Sequence, residues 1–187
     1  MRAPCCLLLL VLGGCHGSKQ PPPPEPAAVQ VRDGSGVLVA ELRPLRPCRG
    51  SIGPVELIVG GPPLISNVGG TDWSGLTAAN GTTLRRDGVP VARIFPVGDA
   101  TTASVLDPHG VALARIAVTG KVAAVSNAAG VPVRNLRVDG DAIKTDQPAL
   151  TITGTHDLVL AALLSAPELT PEVRVLAACE RVLVKDT

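Results

Sequence analysis

The sequence predicts a mainly β protein, an antiparallel meander of about ten to twelve short strands arranged as a barrel or a sandwich, with one or two C-terminal helices. Three observations carry this expectation. One hairpin pattern recurs four times between residues 32 and 136. Aliphatic residues alternate at period two after each occurrence. From about residue 155 the alternation gives way to helical signals.

The repeated stretches are "RDGSGVLVAEL", "LRRDGVPVARI", "LDPHGVALARI" and "SNAAGVPVRNL", aligned on Gly36, Gly88, Gly110 and Gly130. In three of them an Asp or Asn stands three residues before the glycine: Asp33, Asp107 and Asn127. The other has Arg85 there. Asx first and Gly fourth marks a type I turn closed by a glycine in the left-handed region. The Asx side chain bonds the backbone two residues on, and glycine takes φ > 0 without a Cβ clash.

After each glycine, Val37/Val39, Val89/Val91, Val111/Leu113 and Val131/Val133 fall at strand period. Leu42, Ile94, Ile116 and Leu136 then fall on the opposite parity. Such strands bury both faces over part of their length or carry a bulge. The glycine spacings are 52, 22 and 20 residues, and about 20 residues make one hairpin of two short strands. Further turn signals stand at Gly60-Gly61-Pro62-Pro63, Asn80-Gly81 and Asp139-Gly140. The spacing is too irregular for a propeller, whose blades recur at roughly 40–50 residues.

At the C-terminus, Thr155 is the expected cap of a helix over 156–165 whose centre is apolar all round, hence buried. A second helix starts at "TPEV", with Thr170 as cap and Pro171 in its first position. It carries Leu176, Cys179 and Leu183 on one face, and Arg174, Arg181 and Lys185 on the other. A meander followed by a hydrophobic helix is similar in outline to the Tubby/LURP-one-like barrels, in which a helix threads a closed twelve-stranded sheet. That likeness concerns architecture only.

The N-terminus reads as an address. Cys5 to Leu12 is a run of eight apolar residues after a single Arg2. A bilayer-spanning helix needs roughly 20, so the run fits a secretory signal. "LGGC" at Leu12–Cys15 resembles the lipobox of bacterial lipoproteins at all four positions. The resemblance implies cleavage of residues 1–14, acylation of Cys15 and anchoring in a membrane. In that family an Asp after the cysteine retains the protein in the inner membrane. Here His16 stands there, which points to the periplasmic face of the outer membrane. Residues 15–28 follow as the acylated cysteine and a proline-rich tether, with four consecutive prolines favouring an extended polyproline II spacer. Residues 29–187 are then a single β-rich domain.

Composition removes several functions. Of the 17 Lys and Arg only Arg2 lies in the signal, leaving 16 against 16 Asp and Glu. A neutral chain has no electrostatic footprint for nucleic acid. Trp73 and Phe95 are its only aromatic residues. That is too few for the girdles of a transmembrane barrel or for stacking platforms along a single strand. Past Cys15 two cysteines remain, Cys48 and Cys179. An oxidising compartment favours their pairing, and two buried free thiols are the other reading.

No nucleophile elbow, Walker loop, H-E-x-x-H or dinucleotide fingerprint is present. No cysteine or histidine spacing suits a metal, and Asp139, Asp141 and Asp146 lack the spacing of a calcium loop. No cofactor is therefore expected. The best candidate binding surface is "SNVGGTDWSG", read as a glycine-flexible loop offering Asn67, Thr71, Asp72, Trp73 and Ser74. The whole reads as a non-catalytic envelope lipoprotein that binds or scaffolds a protein partner. A periplasmic hydrolase with dispersed residues around His109 or His156, and a lipid-binding barrel, are the alternatives.

Overall fold

The computed structural model describes residues 25–61, 63–68, 70–78, 81–95 and 101–185. The signal, Cys15, most of the tether and the Asn80 half of one predicted turn lie outside them.

Among the described residues fourteen antiparallel strands follow one another as a meander. They are β1 (Val29–Asp33), β2 (Leu38–Arg43), β3 (Cys48–Ile52), β4 (Val55–Val59), β5 (Leu64–Val68), β6 (Thr71–Ala78) and β7 (Gly81–Arg86). Then come β8 (Val89–Phe95), β9 (Thr102–Leu106), β10 (Ala112–Thr119), β11 (Val122–Ser126), β12 (Pro132–Asp139), β13 (Ala142–Asp146) and β14 (Ala149–Thr153). Apart from β4 and β5, each pairs with its neighbour in sequence, and β1 pairs with β14, with Val31 opposite Ile152. The sheet thus nearly closes on itself. Among the described residues its weak seam lies between β4 and β5, bridged through Gly60 and Ile65, which exchange two backbone hydrogen bonds of 2.9 and 3.2 Å.

The strand count exceeds the expected ten to twelve for a local reason. Between Gly36 and Gly88 the chain turns at Gly53 and Gly70, both at positive φ. The interval of 52 residues therefore holds three tight hairpin units of 17 or 18 rather than two and a half of 20.

The three Asx turns form as their residues dictate. Asp33 Oδ1 accepts from the N–H groups of Ser35 and Val37, Asp107 Oδ1 from His109 and Val111, and Asn127 Oδ1 from Ala129 and Val131. Gly36, Gly110 and Gly130 follow at φ 85°, 86° and 78°. The fourth occurrence is a different turn. Asp87 at φ 50° and Gly88 at φ 79° make a two-residue connection with positive φ at both centres, the I′ pattern. All four hairpins carry a register shift just inside the turn. This bulge accounts for the change of parity. It also turns the valine after each glycine outward: Val37, Val89, Val111 and Val131 are all exposed.

Two helices fill the barrel. Every residue of α1 (Leu158–Ser165) is buried. Its cap is Asp157, not Thr155: Asp157 Oδ1 accepts from the N–H of Val159 and Leu160 at 3.0 Å. Thr155 Oγ1 instead accepts the N–H of Asp157, so the helix starts two residues later than its signal suggested. α2 (Pro171–Lys185) does begin at Pro171, with Thr170 as its cap. Its expected polar face is largely covered at the two positions whose side chains are described. Arg181 is only 8 % exposed and Arg174 half-buried, because the sheet and α1 pack against most of the helix. Gly50 shows how closely α2 approaches: a Cβ there would lie 2.5 Å from Val175 Cγ1. Cys48 on β3 and Cys179 on α2 form a disulfide, with Cα atoms 5.8 Å apart. Among the described residues no helix is long and apolar enough to cross a membrane.

Strand parity places the connections at two ends. The Asx turns, the Gly53 and Gly70 turns and the α1–α2 connection lie at one end, here called the hairpin end. The start of β1, the start of α1 and the last turn of α2 lie at the opposite end.

Candidate functional site

The stretch around Trp73 is not a free loop. Asn67 lies on β5 and Thr71, Asp72, Trp73 and Ser74 on β6, and the two strands are in register from Leu64/Gly75 to Val68/Thr71. Asn67 Nδ2 donates to Asp72 Oδ1, and the Asp72 N–H donates to Asp87 across the neighbouring hairpin. Trp73 points inward at 6 % exposure, with the Arg86 guanidinium carbon 5.9 Å from its ring centroid. Thr71 and Trp73 line a shallow cleft of about 180 Å³ with Arg86, Val55, Glu56 and Glu172. Asn67, Asp72 and Ser74 do not reach it. Backbone pairing, which glycine content alone does not reveal, converts a candidate loop into sheet.

The hairpin end holds a second and more unusual cluster. The residue four after the aligned glycine is Ala40, Ala92 and Ala114 in three repeats, each at most 2 % exposed and facing the helices. In the remaining repeat it is Arg134, at 7 % exposure. Its guanidinium enters the barrel, and Nη1 donates to the carbonyl of Ser165 at the end of α1. From α2, Arg174 donates through Nε (2.8 Å) and Nη2 to the carbonyl of Leu164. Two cations from different elements thus meet the negative end of the α1 dipole, where the helix itself offers no basic residue in its last turn. Burial pulls both below the usual arginine range, Arg174 to about 10 with Arg134's charge adding to the shift. Glu168 favours the charged form of Arg134 electrostatically. Arg134 Nε and Glu168 Oε2 are both buried without a hydrogen-bond partner. Arg134, Arg174 and Ser165 share a cleft of about 210 Å³ with Val31, Val39, Ile52 and Leu150.

Arg134 escapes a reading that follows the valines. Period two through Val131 and Val133 assigns it outward, and the bulge after Pro132 reverses that parity. The detectable signal was the break in the alanine column.

A third polar group lies deeper. Glu180 on α2 is 1 % exposed and accepts the Thr82 hydroxyl at 2.6 Å. Its neighbour Arg181 forms a 2.7 Å ion pair with Asp157, tying α2 to the cap of α1. Desolvation raises the Glu180 carboxyl above its ordinary value, and the Thr82 bond and Arg181 charge offset part of that. A raised carboxylate means that the folded chain holds more protons than the unfolded chain above pH about 4.5. Stability therefore falls as pH rises from there through the folded value. Glu180→Gln keeps an acceptor for Thr82 and removes the charge. Urea unfolding between pH 4.5 and 8 should show a flatter profile for the variant and equal or greater stability at the alkaline end. An unchanged profile would refute this account.

His109 occupies the β9–β10 turn and His156 precedes α1 at the opposite end, both exposed. Asp139 pairs with Lys144 at 2.6 Å as part of a polar hairpin. No group of three metal-ligating side chains occurs among the described residues. No family model matches the chain, and neither does any curated protein or solved structure.

Proposed function

We propose that this chain is an exported, lipid-anchored protein of the bacterial envelope, held at the periplasmic face of the outer membrane through Cys15. Its filled barrel serves as a binding or scaffolding domain for an envelope partner rather than as a catalyst. The observation that carries the compartment is the Cys48–Cys179 disulfide. Structural disulfides persist in oxidising spaces and are rare in the cytosol, which agrees with the address read from "LGGC". The binding role is favoured over the two alternatives on geometry. α1 and α2 occupy the lumen that a lipid carrier needs open. His109 and His156 are both exposed, and neither lines the cleft at Trp73 or the cleft at Arg134.

Metabolic labelling with palmitate tests the anchor. The wild type should be labelled and Cys15→Ala unlabelled. Equal labelling of the two would remove the anchor from the proposal. Affinity capture from solubilised membranes, with the Cys15→Ala chain as control, tests the scaffolding role. A stoichiometric envelope protein is the expected result.

A further inference from the structure

We propose that the cleft at the hairpin end where Arg134 and Arg174 meet is a binding site for a small organic anion, a monocarboxylate with a short apolar body.

Four features of the cleft point there. Arg134 replaces an alanine that the three sister hairpins keep buried against the helices, so the barrel architecture itself does not call for a cation at this position. Arg134 is one of the residues that line the cleft, and its Nε is buried without an acceptor. A buried donor left unpaired is costly, and a charge-assisted bond to a carboxylate is among the strongest ways to satisfy it. The local charge is unbalanced as well. Two guanidinium groups meet, each engaged with a neutral carbonyl, and the carboxylate that acts on Arg134, Glu168, leaves Oε2 without a hydrogen bond. The walls are Val31, Val39, Ile52 and Leu150, which suit an apolar ligand body and offer an inorganic ion nothing.

Size narrows the class further. A dry cavity of roughly 150 Å³ accepts benzene. A cleft of about 210 Å³ therefore suits a ligand of roughly six to nine heavy atoms. A carboxylate matches the planar fork of arginine and would place its negative charge between the two guanidinium groups. Glu168, which acts electrostatically on Arg134, is the chain's own competitor for that guanidinium.

The site gives the binding role proposed above a ligand class, and it does not depend on the anchor. Loss of palmitate labelling with retained ligand binding would leave this site standing, and the converse would remove it alone.

The experiment is calorimetric titration of the full chain in nonionic micelles at pH 7 with sodium hexanoate, and with hexanamide and inorganic phosphate in parallel. Hexanoate should bind saturably at one site, and neither hexanamide nor phosphate should match it. Arg134→Gln and Arg174→Gln should each weaken hexanoate binding by about tenfold or more, the usual worth of one charge-assisted bond. Those variants also strip donors from the end of α1 and can fail to fold. Glu168→Gln leaves both arginines in place and should bind hexanoate more tightly than wild type. Absence of saturable binding, equal affinity for phosphate, or an affinity unchanged in Glu168→Gln would each overturn the proposal.

Discussion

Replacing Cys48 and Cys179 together by alanine is expected to lower the unfolding free energy by about 4–5 kcal/mol. The two residues are 131 apart in sequence. A cross-link over so long a loop removes much of the freedom of the unfolded chain, and its effect grows only with the logarithm of loop length. In the folded protein the bridge holds the middle of α2 against β3, with only β4 between that strand and the weak seam. Denaturant unfolding of the double variant against the oxidised wild type gives the difference directly. A loss below about 1 kcal/mol would mean that the bridge constrains little and that helix packing alone holds α2 in place.

The second large effect concerns α1. Leu164→Ala should cost about 2–5 kcal/mol, the range for deleting a fully enclosed leucine side chain. Leu164 is 0 % exposed, as are its neighbours Ala161 and Ala162. An apolar helix lying on a membrane surface would lose almost nothing in protein stability from the same change. Chemical unfolding of this one variant therefore separates a helix inside the barrel from a helix outside it.

What could be read from the sequence followed the range over which each signal acts. Asp33, Asp107 and Asn127 determine their own turns through bonds made within four residues, so turn type and glycine conformation were visible in advance. Opposite-parity Leu42, Ile94, Ile116 and Leu136 left two readings open, two buried faces or a bulge, and only the register shifts decide for the bulge and show where the parity switches. The missing step hid Arg134, whose inward direction depends on a register shift between two strands. The expected Thr155 cap failed because Asp157, two residues on, is the stronger acceptor and is fixed from outside the helix by Arg181. Trp73 was expected in a binding loop, but whether it lies in a loop or in a paired strand is decided by β5, a partner that propensity alone does not specify. Closure of β1 on β14 spans most of the chain and has no local signature.

The order of elements along the chain has a consequence for biogenesis. All fourteen strands precede the two helices that cover their inner face. A ribosome or translocon releasing this protein from its N-terminus therefore exposes an aliphatic sheet surface before its covering exists, the kind of species that aggregates unless shielded. The innermost part of the core is the last to arrive. Holdase chaperones would protect the chain during that interval, and a chain truncated before residue 158 would keep its strands and lose the means to bury them.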